Sequence, residues 1–215
     1  MKFVIAKNGL ILSLFAVITS GLIALTYFGT QEKIEHQHQL TLLKILDELV
    51  PRNSYTNEMQ RDCVLVTSVD YLGSKTAHHI YRATKDDLPV AAVIETTAPN
   101  GYSGRIELVV GIKDQSTVTG VRVLNHKETP GLGDKIDLRI SDWVLGFTDQ
   151  TLTTENAKNW SVKKDGGQFD QFTGATITPR AVVGAVKRAV EYYQLNHDAI
   201  FSASNECRSQ SAIQG

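Results

Sequence analysis

The stretch GLILSLFAVITSGLIALTYF, Gly9 to Phe28, constrains this chain more than any other, because about 20 residues pass without a charge. At ~1.5 Å per residue, a helix of that length reaches ~30 Å, the thickness of a bilayer's hydrocarbon core. A cleaved signal sequence has a shorter apolar region, ~7–15 residues, followed by small residues at the cut. The exit here reads TYFGTQEK, with no A-x-A pattern, so an uncleaved anchor is expected. Lys2 and Lys7 precede the span, whereas Gln31, Glu32, Lys33 and Glu35 follow it. The positive-inside rule then places residues 1–8 in the cytoplasm, 9–28 in the bilayer and the remainder across the membrane. In a bacterium this is a single-pass inner-membrane protein with a periplasmic domain.

Residues 29–51 read as a stalk helix. Leu42, Leu43, Ile45, Leu46, Leu49 and Val50 recur at helical spacing, and Pro51 stops them. His36 and His38 stand two apart and face different sides of that helix, a solvated pattern rather than a metal pair. Five β-like runs follow at residues 63–69, 78–84, 89–98, 105–113 and 117–126. Turn signals separate them at Leu72-Gly73-Ser74, Lys85-Asp86-Asp87, Pro99-Asn100-Gly101 and Asp114-Gln115-Ser116. Such short connections favour antiparallel pairing. Alternation of Ile106, Leu108 and Val110, and of Val121 and Val123, buries one face of the sheet. His78 and His79 open a strand and read as surface positions.

Beyond the strands, Pro130-Gly131-Leu132-Gly133 forces an irregular loop. Asp134 is placed to cap a helix carrying Ile136, Leu138, Ile140, Trp143, Val144 and Phe147. Thr178 and Pro179 suit the cap and first position of a last helix, with Val182, Val183, Val186, Ala189, Val190 and Tyr193 on one face. A polar tail occupies 198–215. The fold class is therefore α+β: an N-terminal transmembrane helix, then one domain over 52–197 with a twisted antiparallel sheet and packed helices.

Function is narrowed first by exclusion. The formal net charge is −1, from 22 basic and 23 acidic residues, so nothing points to nucleic acid. There is no zinc-ligand spacing, no Walker-type loop and no dinucleotide fingerprint. His126 and Glu128 lack a third ligand, so no metal is expected. No catalytic triad is evident. Cys63 and Cys207 are the two cysteines. Outside the cytoplasm they can form a disulfide, and two unrelated thiols are the alternative.

The informative motif is DQFTGAT, Asp170 to Thr176. Gly174 and Ala175 leave room for a ligand beside the backbone, and Thr176 precedes a helix start whose free N–H groups suit a phosphate. By chemistry alone this also describes an ordinary capped helix. The segment fits D-x-x-[ST]-G-A-T and resembles the flavinylation motif of the FMN-binding domain family. The anchor, GYSG (101–104), the HxETPGLG-type loop (126–133), VKKDGG (162–167) and the last helix follow the order found in G subunits of bacterial Rnf electron transport complexes.

That resemblance covers nearly the whole chain and implies a membrane-anchored FMN electron-transfer subunit of an ion-translocating ferredoxin/NAD oxidoreductase complex. Such a subunit has no complete active site alone. The implied attachment point is Thr176, linked to FMN as a phosphoester by a flavin transferase that uses FAD. Asp170, Thr173, Gly174 and Ala175 map to the surrounding recognition sequence. Glu128, Thr129, Gly131 and Leu132 of the loop, together with Tyr102, Ser103 and Lys163, are candidate cofactor contacts. Partners implied are the other subunits, the transferase and the lipid bilayer. Two other readings stand beside it: the C subunit of a sodium-pumping NADH:quinone reductase, and a non-redox extracytoplasmic binding or sensor domain.

Overall fold

The computed structural model describes residues 2–113 and 116–207, leaving aside the side chains of residues 2–4, 32, 34–36, 38 and 39. The turn expected at Asp114-Gln115, the side chains of His36 and His38, and the tail from residue 208 lie outside the described residues. The chain divides into two units, Met1–Lys44 and Ile45–Gly215.

The first unit is helical and belongs to helix α1, Lys2–Leu49. Its stretch Ile5–Gln31 is long and apolar enough to cross a membrane. Four hydroxyls inside that stretch bond back one turn: Ser13 to the Gly9 carbonyl, Thr19 to Phe15, Thr26 to Leu22 and Thr30 to Thr26, at 2.8–3.0 Å. A helix in hydrocarbon must satisfy its polar groups internally, and these hydroxyls do so.

The second unit is built on a five-stranded meander. Strands β1 (Cys63–Ser68), β2 (Ser74–Lys85), β3 (Leu88–Gly101), β4 (Gly104–Lys113) and β5 (Thr117–Asn125) pair in sequence order, all antiparallel. A one-turn helix, α2 (Val69–Leu72), stands between β1 and β2. Helix α3, Ile177–Ser202, packs on the sheet, with Val182, Val183, Val186, Ala189, Val190 and Tyr193 buried. They join Ile94, Ile106, Leu108 and Val110 in one core. Alternate residues such as Val93 and Val109 are also fully buried. The last turn of α1 accounts for part of that second coverage. Leu46 and Leu49 are 1% exposed, and a Cβ added to Gly120 would come 2.9 Å from Leu49 Cδ2. Gly120 is therefore needed where helix and sheet approach.

Several sequence expectations change in three dimensions. The break at Leu72-Gly73 is the end of α2, which Gly73 stops at φ 76°. Pro99-Asn100-Gly101 does not end β3; the strand continues through an irregular register to pair Gly101 with Gly104. The single helix expected after Asp134 is two 3₁₀ segments, Gly133–Ile136 and Asp142–Phe147. Asp137 Oδ1 accepts the Arg139 N–H at 2.9 Å, a local bond that competes with helix continuation. Ser141, not Asp134, caps the second segment by accepting the Trp143 N–H. Helix α3 does not stop at His197 but runs to Ser202. Beyond it, the Glu206 N–H donates to the Cys63 carbonyl at 2.9 Å, and Cys63 and Cys207 form a disulfide with Cα atoms 5.3 Å apart.

His78 is buried rather than on the surface, with Nε2 3.0 Å from Thr97 Oγ1. Burial holds its pKa below the ordinary histidine value. Its neighbour behaves oppositely. His79 Nδ1 lies 2.9 Å from Glu95 Oε2, and that hydrogen bond raises the His79 pKa. Burial pushes the Glu95 carboxyl up, but bonds from His79 and Tyr81 outweigh it and hold it below the usual range. A raised histidine pKa stabilises the fold fully below the unfolded value of ~6.5, and the gain is lost as pH rises through the folded value. His79→Ala should therefore cost about 0.5–1 kcal/mol more near pH 5.5 than near pH 8.5. Urea melts at the two pH values measure this. An equal cost at both would mean that the pair carries no charge-dependent stability.

Candidate functional site

The turn at Phe172–Ala175 is set by one bond and one glycine. The Ala175 N–H donates to the Phe172 carbonyl at 3.1 Å, and Gly174 sits at φ 81°, a conformation that β-carbon-bearing residues rarely adopt. Upstream, the Trp143 indole N–H donates to the Asp170 carbonyl at 2.8 Å, and its ring meets Phe172 edge-on at 5.2 Å. Trp143 also packs on Phe147, which stacks on Phe169 at 4.5 Å. An aromatic cluster thus anchors the entry to the turn.

The exit leads straight into α3. Thr176 occupies the N-cap position at φ −73°, ψ −27°, and its side chain makes no capping bond. Its carbonyl accepts the Arg180 N–H at 3.3 Å. Thr178, expected as the cap, instead lies inside the first turn, fully buried, with its hydroxyl donating to Glu128 Oε2 at 2.5 Å. Pro179 stands third in the helix, still within the turn that needs no intrahelical N–H bond. The N–H groups of Ile177 and Thr178 are the free donors of this helix start.

The loop Glu128–Gly133 folds over this helix start. The Thr129 carbonyl accepts N–H bonds from Leu132 and Gly133, both at 3.1 Å, with Gly131 at φ 77° making the tight turn. Glu128 is 5% exposed, and its Oε1 accepts the Ser103 N–H at 3.0 Å. Ser103 belongs to the β3–β4 hairpin turn, which also carries Tyr102.

Together these segments enclose an open cavity of about 270 Å³. Its walls include Tyr102, Glu128, Thr129, Leu132, Ala175 and Thr176, with Gly133, Gly174, Ile177 and Thr178 completing them. Tyr102, Leu132 and Ile177 are also among the exposed large apolar side chains, so the mouth is apolar and solvent-facing. An apolar cleft with a few convergent polar groups is the usual form of a cofactor site. The residues fit a flavin phosphate ester: a hydroxyl spent on no cap, free helix N–H groups beside it, and the apolar side chains of Tyr102, Leu132 and Ile177 at the mouth. Among the described residues no cluster of three or more metal-ligating side chains exists.

The sequence-derived candidates do not all meet here. Gly131 and Thr173 shape turns outside the cavity wall. Lys163 is not in the wall either: its Nζ pairs with Asp170 Oδ1 at 2.6 Å, and both side chains are more than half exposed. Arg180 grips Asp165 at 2.6 and 2.7 Å, and these bonds hold the Asp165 carboxyl below its ordinary range. Ile177, Thr178 and Trp143 are not legible as site residues in the sequence, whereas Gly133 belongs to the candidate loop and does line the cavity. The Phe169 and Phe172 pair flanking Asp170 was the available signal for an aromatic anchor.

A family model described as the FMN-binding domain matches residues 101–191, and one described as the RnfG N-terminal region matches residues 1–49. A protein of Pseudoalteromonas atlantica, named as the G subunit of an ion-translocating oxidoreductase complex, is 78% identical over 215 residues, covering 100% of both chains. A Vibrio cholerae protein of the same name is 54% identical over 210 residues, covering 98% of this chain and 100% of the relative. The crystal structure of Shewanella oneidensis NqrC aligns over 71% of this chain and 74% of that one, at 24% identity and a TM-score of 0.48, too loose a likeness to argue from.

Proposed function

The chain belongs to the G subunits of ion-translocating oxidoreductase complexes, and from that membership we propose that Thr176 carries its FMN covalently, on the far side of the membrane from the N-terminus. It is a membrane-anchored FMN electron-transfer subunit that works with the other subunits of the complex. The observation that carries the proposal is the uncapped hydroxyl of Thr176 in the wall of the cavity.

The bond-forming step is a phosphoryl transfer. The Thr176 Oγ1 attacks the FMN-side phosphorus of FAD, the pyrophosphate P–O–P bond breaks, AMP leaves, and the hydroxyl proton is lost. A flavin transferase of the kind implied by the D-x-x-[ST]-G-A-T motif supplies this reaction. The N–H groups of Ile177 and Thr178, at the positive end of the α3 dipole, would hold the phosphate of the attached group. Leu132, Ile177 and Tyr102 would offer apolar surface to the ring system. Bound flavin supplies one- and two-electron chemistry, and the protein orients it and tunes its surroundings. Attachment through phosphate leaves the ring system unmodified for that work.

Membrane anchoring by α1 and a periplasmic domain complete the proposal. The lysines at positions 2 and 7 support a cytoplasmic N-terminus. A ferredoxin/NAD couple for the whole complex belongs to the same proposal. The test is flavin fluorescence of the full chain on a denaturing gel after co-expression with a flavin transferase. Fluorescence that survives denaturation is expected. A dark band, with the transferase shown to be active on another acceptor, would contradict covalent attachment.

A further inference from the structure

We propose that Glu128 is a positioning residue that presents Thr176 for modification, acting through Thr178 rather than by touching the flavin. The inference rests on Thr176 being the attachment point. A helix start is ordinarily fixed by its N-cap side chain, but Thr176 makes no such bond, and Pro179 brings no N–H to the first turn. The fixing contact has moved two residues on. Thr178 is fully buried and donates its hydroxyl to Glu128 Oε2 at 2.5 Å. The other oxygen of the same carboxylate accepts the Ser103 N–H at 3.0 Å, and the Glu128 N–H donates to His126 Nδ1 at 3.2 Å.

One buried side chain therefore ties three segments together: the β3–β4 turn, the PGLG loop and the start of α3. The surrounding glycines make room for it. A Cβ on Gly133 would lie 2.8 Å from both Glu128 Oε2 and Thr178 Oγ1, and one on Gly101 would lie 2.8 Å from Glu128 Oε1. With both oxygens engaged by neutral donors of the protein, the carboxylate is committed to the scaffold. The Thr176 hydroxyl is left free for the transferase because the Glu128–Thr178 contact, and not a cap made by Thr176, fixes the helix start. An acceptor hydroxyl misplaced by about 1 Å reacts on the order of a hundredfold more slowly.

The experiment follows the initial rate of FMN attachment to full-length protein from FAD and purified flavin transferase, read by intact mass, with thermal melts alongside. Glu128→Ala should slow attachment by about tenfold to a hundredfold. Glu128→Gln, which keeps an acceptor for Ser103 and a partner for Thr178, should restore the rate to within about threefold of wild type. Should Glu128→Ala not fold, Thr178→Val and Thr178→Ser read the same contact, and only the valine should be slow. Attachment at the wild-type rate in Glu128→Ala, or in folded Thr178→Val, overturns the proposal. Equal slowing by Glu128→Gln and Glu128→Ala also overturns it, in favour of a direct role for the carboxylate. If wild type itself takes no FMN on Thr176, the attachment reading fails and not merely this one.

Discussion

Thr176→Ala should abolish covalent flavin while leaving the domain folded. The loss is total because an alanine has no oxygen with which to form the ester. The fold survives because little depends on that oxygen. Replacing an N-cap threonine ordinarily costs ~1 kcal/mol through loss of its capping bond, but Thr176 makes none. Its backbone, at φ −73° and ψ −27°, suits alanine equally well. The expected stability change is below about 0.5 kcal/mol. Thr176→Ser keeps the nucleophilic oxygen and should remain flavinylated. Thr173→Ala should weaken attachment less, because Thr173 is exposed on the turn and outside the cavity wall. Flavin that persists on Thr176→Ala would relocate the bond, with Thr173 as the first place to look.

Removing the disulfide should cost the second unit a large share of its stability. Cys63 and Cys207 lie 144 residues apart, and a cross-link of that span strongly restricts the unfolded chain. Losing such a bond typically costs 2–5 kcal/mol, with long loops toward the upper end. For a domain of this size, that lowers the melting temperature by about 10 °C. The surrounding contacts do not replace it, but they show how it is held. Asn205 Oδ1 accepts the Cys63 and Cys207 N–H groups, and the Leu65 N–H donates to Glu206. Arg82 pairs with Asp62 and donates to the Ile200 and Ala203 carbonyls at 3.0 and 2.7 Å. The segment after α3 is thus laid along the edge strand β1, which would otherwise offer unpaired backbone groups.

Cys63→Ala/Cys207→Ala should melt about 10 °C below the oxidised protein, and reductant should lower only the oxidised form. Equal melting temperatures would mean that the bond adds no stability. The same cysteines report the compartment. Resistance to alkylation before reduction in intact cells is expected of a domain held in an oxidising space.

Much of the fold is legible because β-alternation is a local signal. Ile106, Leu108 and Val110 announce a buried face, and the helical stripe from Val182 to Tyr193 announces what covers it. Legibility ends where a distant residue decides. His78 reads as polar surface, yet Thr97 offers it a partner inside. Thr178 reads as a cap, yet its hydroxyl is claimed by Glu128, 50 residues away in the chain. Glu128 reads as a cofactor contact and not as a tie between segments, because the Ser103 N–H that meets it comes from another turn, 25 residues away. Lys163 reads as a cofactor contact until Asp170 proves to be the charge beside it. The DQFTGAT motif is legible as chemistry. Its aromatic anchor and the displaced cap appear only when the chain is folded.

The most direct test of the central claim is peptide-mass mapping of the full chain made in a host with a flavin transferase. A gain of one FMN less one water, located on the peptide bearing Thr176, is the predicted result. An unmodified Thr176 peptide, with an active transferase present, would contradict it. DQFTGAT would then be no more than the turn that starts α3, and a non-redox binding role for the domain would come to the front.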